Sequence, residues 1–166
     1  MVYIIMGVMG AGKTTVGQLL AEHIHCIFRD ADDYHSPSNR GKMAHGIPLT
    51  DEDRKPWIFA VRAVIDTQLA TGVDCVMACS ALKEKYRRTL IQDREEIKLI
   101  YLKGDKGLIA GRVLGRGGHF VHPAILDSQF ADLEEPENAV ITDISKTPEE
   151  IVHDIISVIA PRGRKR

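Results

Sequence analysis

The sequence has no long apolar run and no excess of charge of one sign. No stretch approaches the roughly 18 apolar residues of a membrane-spanning helix. The apolar start lacks a basic flank and leads into a glycine loop, so we expect no secretory signal. The 22 Lys and Arg residues nearly balance the 23 Asp and Glu residues, which leaves a formal net charge of −1. We therefore expect neither a membrane nor a nucleic acid as partner.

Cysteine is scarce, and its spacing does not suggest a metal or redox site. The three cysteines, Cys26, Cys75 and Cys79, form no C-x-x-C pair. Cys75 and Cys79 lie in an apolar run, which predicts buried thiols in a reducing compartment. We therefore expect a cytoplasmic protein.

The alternation of short apolar runs with helical patterns predicts a single α/β domain over residues 1–166. The runs are continuous rather than alternating, as in parallel strands that are covered on both faces. The predicted strands are Val2–Met6, Cys26–Arg29, Cys75–Cys79, Leu99–Leu102 and Ala139–Ile141.

Three segments have apolar residues at helical spacing, and they begin near Val16, Trp57 and Ile151. The last has a strong start signal, because Thr147 and Glu150 have the spacing of a capping box. The start of the second stays open. Thr50 is a plausible N-cap, but Pro56 follows it and is an equally plausible first residue.

The strongest motif is G-V-M-G-A-G-K-T, a full match to the phosphate-binding loop G-x-x-x-x-G-K-[ST]. Its backbone amides are predicted to surround phosphate oxygens, with Lys13 on the β- and γ-phosphates and the Thr14 hydroxyl on Mg²⁺. The predicted ATP-binding residues are Gly7, Val8, Met9, Gly10, Ala11, Gly12, Lys13, Thr14 and Thr15. This motif predicts a protein that binds a nucleoside triphosphate.

The motifs of a GTPase are absent, since neither D-x-x-G after a strand nor N-K-x-D occurs. The run C-V-M-A-C ends at Ser80 rather than at the aspartate that often helps to hold the metal. A carboxylate from elsewhere must take that place.

Asp30 and Asp32 follow the second predicted strand, so they are expected beside the phosphate loop at the carboxyl edge of the sheet. If the strand pattern persists, both side chains point the same way. We assign Asp30 to Mg²⁺ through water, and Asp32 to the acceptance of a proton from an attacking hydroxyl. The alternative is a solvated, aspartate-rich turn.

Two segments fit poorly into a minimal sheet-and-helix core and are predicted to bind ligands. Residues 31–57 are predicted as an acceptor-binding insertion with long irregular stretches. Residues 112–123 are predicted as a lid, in which Arg112 and Arg116 share one helix face and reach the ATP phosphates. The alternative is an exposed cationic face. The basic tail, 162–166, is expected to be a solvated end.

Further blocks give a more specific signal: D-A-D-D-Y-H from Asp30, P-L-T-D-E-D-R-K-P-W from Pro48, A-C-S-A-L-K from Ala78, G-H-F from Gly118 and S-Q-F from Ser128. In this order, and over nearly the whole chain, they resemble the gluconate kinase (gluconokinase) family. The resemblance implies ATP-dependent phosphorylation of D-gluconate at its 6-hydroxyl, with 6-phosphogluconate and ADP as products. It also implies a three-layer α/β/α fold of the nucleoside-monophosphate-kinase type, with a five-stranded parallel sheet, a mobile lid and a homodimer.

Gluconate is a polyhydroxylated carboxylate, so its pocket needs cations and hydrogen-bonding groups. Beside Asp32, the candidates in the matching blocks are Arg54, Lys83, Arg87 and His119. Two other functions stay open: a kinase like shikimate kinase, and a non-catalytic module that binds ATP as a ligand. The acidic cluster argues against the module, because a pure binder needs no proton acceptor.

Overall fold

Five parallel strands form the centre of the fold. The computed structural model describes residues 1–115 and 123–159. The strands are β1 (Val2–Met6), β2 (Ile27–Asp30), β3 (Cys75–Ala78), β4 (Ile97–Lys103) and β5 (Val140–Asp143). Their order in the sheet is β2-β3-β1-β4-β5, and every neighbouring pair is parallel. All five predicted strands are confirmed, with small shifts at their ends.

Seven helices surround this sheet in the described part of the chain. They are α1 (Lys13–His23), α2 (Pro37–Ala44), α3 (Asp51–Thr71), α4 (Glu84–Ile91), α5 (Lys106–Gly115), α6 (Pro123–Asp132) and α7 (Pro148–Ile159). A 3₁₀ turn, Ala31–Tyr34, follows β2. Over these residues, no helix is both long and apolar enough to cross a bilayer.

The sheet has a hydrophobic core on each face, which confirms the predicted three-layer α/β/α class. On one face, Ile4 of β1 belongs to the same cluster as Trp57 and Ile65 of α3. On the other face, the next residue, Ile5, belongs to a cluster with Leu20 of α1 and Ile155 of α7. Adjacent strand residues point to opposite faces, so continuous apolar strands are buried on both sides.

Helix α3 begins at Asp51, which settles the open question of its start. Thr50 Oγ1 accepts a hydrogen bond from the Asp53 amide at 3.2 Å, and the Asp53 carboxylate accepts one from the Thr50 amide at 2.9 Å. This capping box satisfies amides that lack helical partners. Pro56 lies inside the helix, where its missing N–H removes a single hydrogen bond.

The expectation of long irregular structure after residue 35 was wrong, because α2 occupies much of that stretch. Ser36 caps this helix by accepting a hydrogen bond from the Asn39 amide at 3.1 Å, and Pro37 takes the first helical position.

Of the predicted lid, residues 112–115 end α5 and Pro123 begins α6. The rest of that segment and the basic tail lie outside the described residues.

The apolar run that contains Cys75 and Cys79 predicted buried thiols, and this burial is confirmed. Cys75 and Cys79 are buried, Cys26 is half-buried, and all three are free thiols. Burial raises the pKa of Cys75 to about 11 and that of Cys79 to about 12. Thiols that stay protonated near neutral pH are poor nucleophiles and poor metal ligands.

Candidate active site

The phosphate-binding loop joins β1 to α1 and needs glycine at particular positions. Gly10 has φ 78° and Gly12 has φ 97°, in the left-handed region that other residues rarely adopt. A Cβ on Gly10 would also lie 2.6 Å from Cγ2 of Val113 in α5. Gly12 is the N-cap of α1 and has no side chain to cap the first helical amides. Those amides and the helix dipole therefore favour an anion at this end of α1.

Lys13 folds back over the loop, where its Nζ donates a hydrogen bond to the Val8 carbonyl at 3.1 Å. Burial lowers the pKa of Lys13, and the negative charges of Asp32 and Asp30 oppose that shift. The ammonium group therefore lies close to the predicted base, Asp32, and to the predicted Mg²⁺-binding residue, Asp30, at the place where phosphate charge is expected.

Thr14 and Asp30, the two residues predicted to hold Mg²⁺, lie side by side. The Thr14 hydroxyl donates a hydrogen bond to Oδ2 of Asp30 at 3.1 Å. Hard oxygen donors of these two kinds suit Mg²⁺, which usually keeps several waters and shares phosphate oxygens. In the described residues, no group of three or more His, Cys, Asp or Glu side chains could hold a metal alone. The pair fits an ion that arrives with the nucleotide.

The prediction that a continued strand positions Asp32 was wrong, although the residue does line the cleft. The strand ends at Asp30, whose Oδ1 accepts a hydrogen bond from the Asp32 amide at 3.0 Å and caps the 3₁₀ turn. The turn, rather than strand alternation, therefore places Asp32. Partial desolvation is the largest cause of the raised pKa of its carboxyl group, and the charge of Lys13 opposes it.

A single cleft of about 260 Å³ contains the phosphate loop, Asp30 and Asp32. Several of its lining residues received no role from the sequence: His35, Met43, Leu49, Trp57, Ser80, Ile125 and Gln129. Gln129 of α6 reaches the loop directly, since its Oε1 accepts a hydrogen bond from the Met9 amide at 2.6 Å. The sequence held one signal for a role of His35. It follows Asp32 by three residues, and side chains at positions i and i+3 lie above one another in a 3₁₀ turn.

Arg54 lines the cleft, as predicted for a group that binds the acceptor. Its guanidinium donates a hydrogen bond to Oδ2 of Asp132 at 2.7 Å, and its side chain is only 13% exposed. Lys83 lies nearby and pairs with Oδ1 of the same aspartate at 3.2 Å and with Asp51 at 2.9 Å. Asp132, which the sequence did not single out, thus joins the two predicted cations.

Arg87 is not in the cleft. It is 3% exposed, and its guanidinium donates hydrogen bonds to the Ala81 and Leu82 carbonyls and to the Glu84 carboxylate. Four of its five guanidinium N–H groups are used in these bonds, and the predicted contact of Arg87 with an acceptor stays a prediction.

Arg112 is also not among the residues that line the cleft. Its guanidinium donates a hydrogen bond to the Ile144 carbonyl, in the loop that follows β5. Arg116 and His119 lie outside the described residues. The predicted contact of these side chains with phosphate or acceptor stays a prediction.

Known proteins resemble this chain over nearly all of its length. The sequence profile of the shikimate kinase family matches residues 9–160. A probable gluconokinase of Mus musculus is 40% identical, with 95% of this chain and 97% of that protein covered. The chain belongs to the gluconokinase family.

Solved structures agree with this family assignment. A sugar kinase from Janibacter sp. HTCC2649 has a TM-score of 0.87 and 37% identity, with 94% of this chain and 92% of that one covered. A gluconokinase from Sinorhizobium meliloti 1021 has a TM-score of 0.82 and 36% identity, with coverages of 93% and 89%. The resemblance to this family that the sequence motifs indicated is confirmed, as is the fold that it implied.

Proposed function

We propose that the protein transfers the γ-phosphoryl group of ATP to the 6-hydroxyl of D-gluconate, giving 6-phosphogluconate and ADP. One observation carries this proposal: a phosphate-binding loop, the Asp32 carboxylate and the Arg54 guanidinium all face one cleft. That arrangement suits an acceptor with a reactive hydroxyl at one end and a carboxylate at the other.

The nucleotide side of the cleft binds and orients ATP. The amides of residues 7–15 and the Lys13 ammonium bind the β- and γ-phosphates. Thr14 and Asp30 would hold Mg²⁺, Thr14 with its hydroxyl and Asp30 through water. When bound, the ion neutralises phosphate charge.

Asp32 acts as the base. Its carboxylate accepts the proton of the 6-hydroxyl while that oxygen forms its bond to the γ-phosphorus. The bond from the γ-phosphorus to the bridging oxygen breaks, and ADP leaves with the electron pair. A raised pKa makes Asp32 a stronger base than an ordinary carboxylate, which favours this step.

Arg54 binds the acceptor carboxylate with its planar fork, and Lys83 adds positive charge beside it. Residues 31–57 form the acceptor-binding insertion. Arg112 and Arg116 belong to a lid over 112–123 that closes on the phosphates and excludes water, and His119 of the same segment binds the acceptor. The family resemblance supports a homodimer, and the sequence pattern and the cysteines support a single cytoplasmic domain. Sedimentation and cell fractionation would test the oligomeric state and the location.

A second candidate is a shikimate kinase activity, because the profile of that family spans most of the chain. Shikimate is also a hydroxylated carboxylate, so the same cations could bind it.

A coupled assay of ADP release with gluconate, shikimate, other sugar acids and adenylylsulfate separates these functions. We expect gluconate to react far faster than the others. Faster turnover of shikimate would favour the second candidate, and ATP binding without acceptor-dependent turnover would favour a binding module.

A further inference from the structure

His35 is a buried histidine at the edge of the cleft, and two neighbours fix its ring. The imidazole stacks on the Trp57 indole with 4.5 Å between ring centroids and 12° between planes. Trp57 in turn donates a hydrogen bond from Nε1 to the Ala31 carbonyl at 2.7 Å. Ala31 directly precedes Asp32, so the same indole fixes both the ring and the backbone beside the proposed base.

Asn39 determines which ring nitrogen of His35 carries the proton. Its Nδ2 donates a hydrogen bond to the Asp53 carbonyl at 2.8 Å, and a carbonyl oxygen can only accept, which fixes the orientation of the amide. The same Nδ2 lies 3.4 Å from Nδ1 of His35. An amide nitrogen only donates, so Nδ1 accepts and the proton of the neutral ring is on Nε2.

The Nε2–H group faces the Asp32 carboxylate, with 3.8 Å between Nε2 and Oδ1. The Asp32 side chain is 68% exposed, and among residues 1–115 and 123–159 none donates a hydrogen bond to its carboxylate. Because the ring is fixed, a hydrogen bond would require a small rotation of the Asp32 side chain, and its exposure leaves room for that rotation.

The charges around the ring are consistent with a neutral imidazole. Burial is the largest cause of the lowered pKa of His35, and Arg40 and Arg54 lower it further. Asp32 has the opposite effect. Asp32 is itself faced by Lys13, Asp30, Asp33 and Cys79.

We propose that His35 is a positioning residue for Asp32: its Nε2–H donates to one carboxylate oxygen and turns the other toward the acceptor hydroxyl. This inference rests on the role of Asp32 in the proposed function. It adds a second residue to the proton-accepting end of the cleft, one that acts through Asp32 rather than on the substrate.

Two substitutions separate the donor from the stacking ring. His35→Phe keeps a flat ring against Trp57 but has no N–H. His35→Gln gives up the ring but can place an amide N–H near the position of Nε2. The matched control is His153→Phe on α7, an exposed histidine far from the cleft lining. For each variant we would measure kcat, KM for both substrates and the Kd of ATP.

We expect His35→Phe to lower kcat about 10- to 100-fold, since small displacements of a catalytic group are costly. The Kd of ATP should change by less than about twofold, and His35→Gln should recover most of kcat. The control should behave as wild type. Trp57 is the sole tryptophan, so its fluorescence reports directly whether the stacked environment is kept.

Three results would overturn the inference: normal kcat in His35→Phe, no recovery in His35→Gln, or an equal loss of ATP binding and turnover. If His35→Phe does not fold, His35→Asn takes its place, because the shorter amide reaches the Nδ1 position but not Nε2. A wild-type protein without acceptor-dependent turnover removes the proposed function and this inference together. Turnover that is insensitive to His35→Phe removes the inference alone.

Discussion

The phosphate loop forms the nucleotide end of the cleft, the region around Arg54 forms its proposed acceptor end, and the two ends are built in different ways. The nucleotide end is made largely of backbone from one continuous loop, whose glycines at positions 10 and 12 adopt left-handed conformations. The acceptor end is made of side chains from separate helices, such as Arg54 and Asp132, which pair across 78 residues of sequence. A local motif therefore specifies the first end, whereas the tertiary fold specifies the second.

The largest effect is expected at the nucleotide end. Lys13→Ala should lower kcat/KM for ATP by about 10³-fold or more, because no other described side chain places a cation in the loop. Steady-state kinetics with ATP varied would measure it, and circular dichroism would show that the fold is kept. An unaffected variant would refute the phosphate-loop assignment.

Asp32→Asn tests the point where the two ends meet. The amide cannot accept the proton of the alcohol, so kcat should fall by about 10²- to 10⁴-fold. The Kd of ATP should change little, since the loop amides and Lys13 remain. Titration with a fluorescent ATP analogue separates binding from turnover. Near-normal kcat would remove Asp32 from its role.

Arg54→Ala is expected to affect the acceptor end alone. Loss of a charge-assisted hydrogen bond to a carboxylate should raise KM for gluconate by about 30-fold and leave KM for ATP nearly constant. Arg88→Ala is a suitable control, because that side chain is 80% exposed on α4. Equal changes in the KM for gluconate and the KM for ATP would contradict the assignment of Arg54 to the acceptor alone.

The smallest effects are expected at two capping boxes, Thr50 with Asp53 at the start of α3 and Thr147 with Glu150 at the start of α7. Thr50→Ala and Thr147→Ala should each lower the free energy of unfolding by about 1 kcal/mol. Only Thr50→Ala should also raise KM for gluconate, because Thr50 caps the turn that carries Arg54. Urea denaturation and steady-state kinetics together test this difference. If Thr147→Ala raised KM for gluconate by the same factor, the rise in Thr50→Ala would reflect lost stability and not a displacement of Arg54.

Most of the fold and the nucleotide end could be predicted from the sequence, because their signals are local. Continuous apolar runs marked the strands, and the glycine–lysine motif marked the loop. The acceptor end was predicted less well. Arg54 and Arg87 looked equivalent in the sequence. Only the folded structure distinguishes them, because it buries Arg87 against two backbone carbonyls. Asp132 carried no local signal at all, because its importance depends on helices that meet only in the folded chain.

Helix α6 touches both ends of the cleft with two side chains that lie three residues apart. Gln129 binds the amide of Met9 in the phosphate loop, and Asp132 binds Arg54. Residues with this spacing share one helix face, so a shift of α6 would alter both ends of the cleft together. We therefore expect that, if binding of one substrate shifts this helix, each substrate would change the affinity for the other by the same factor.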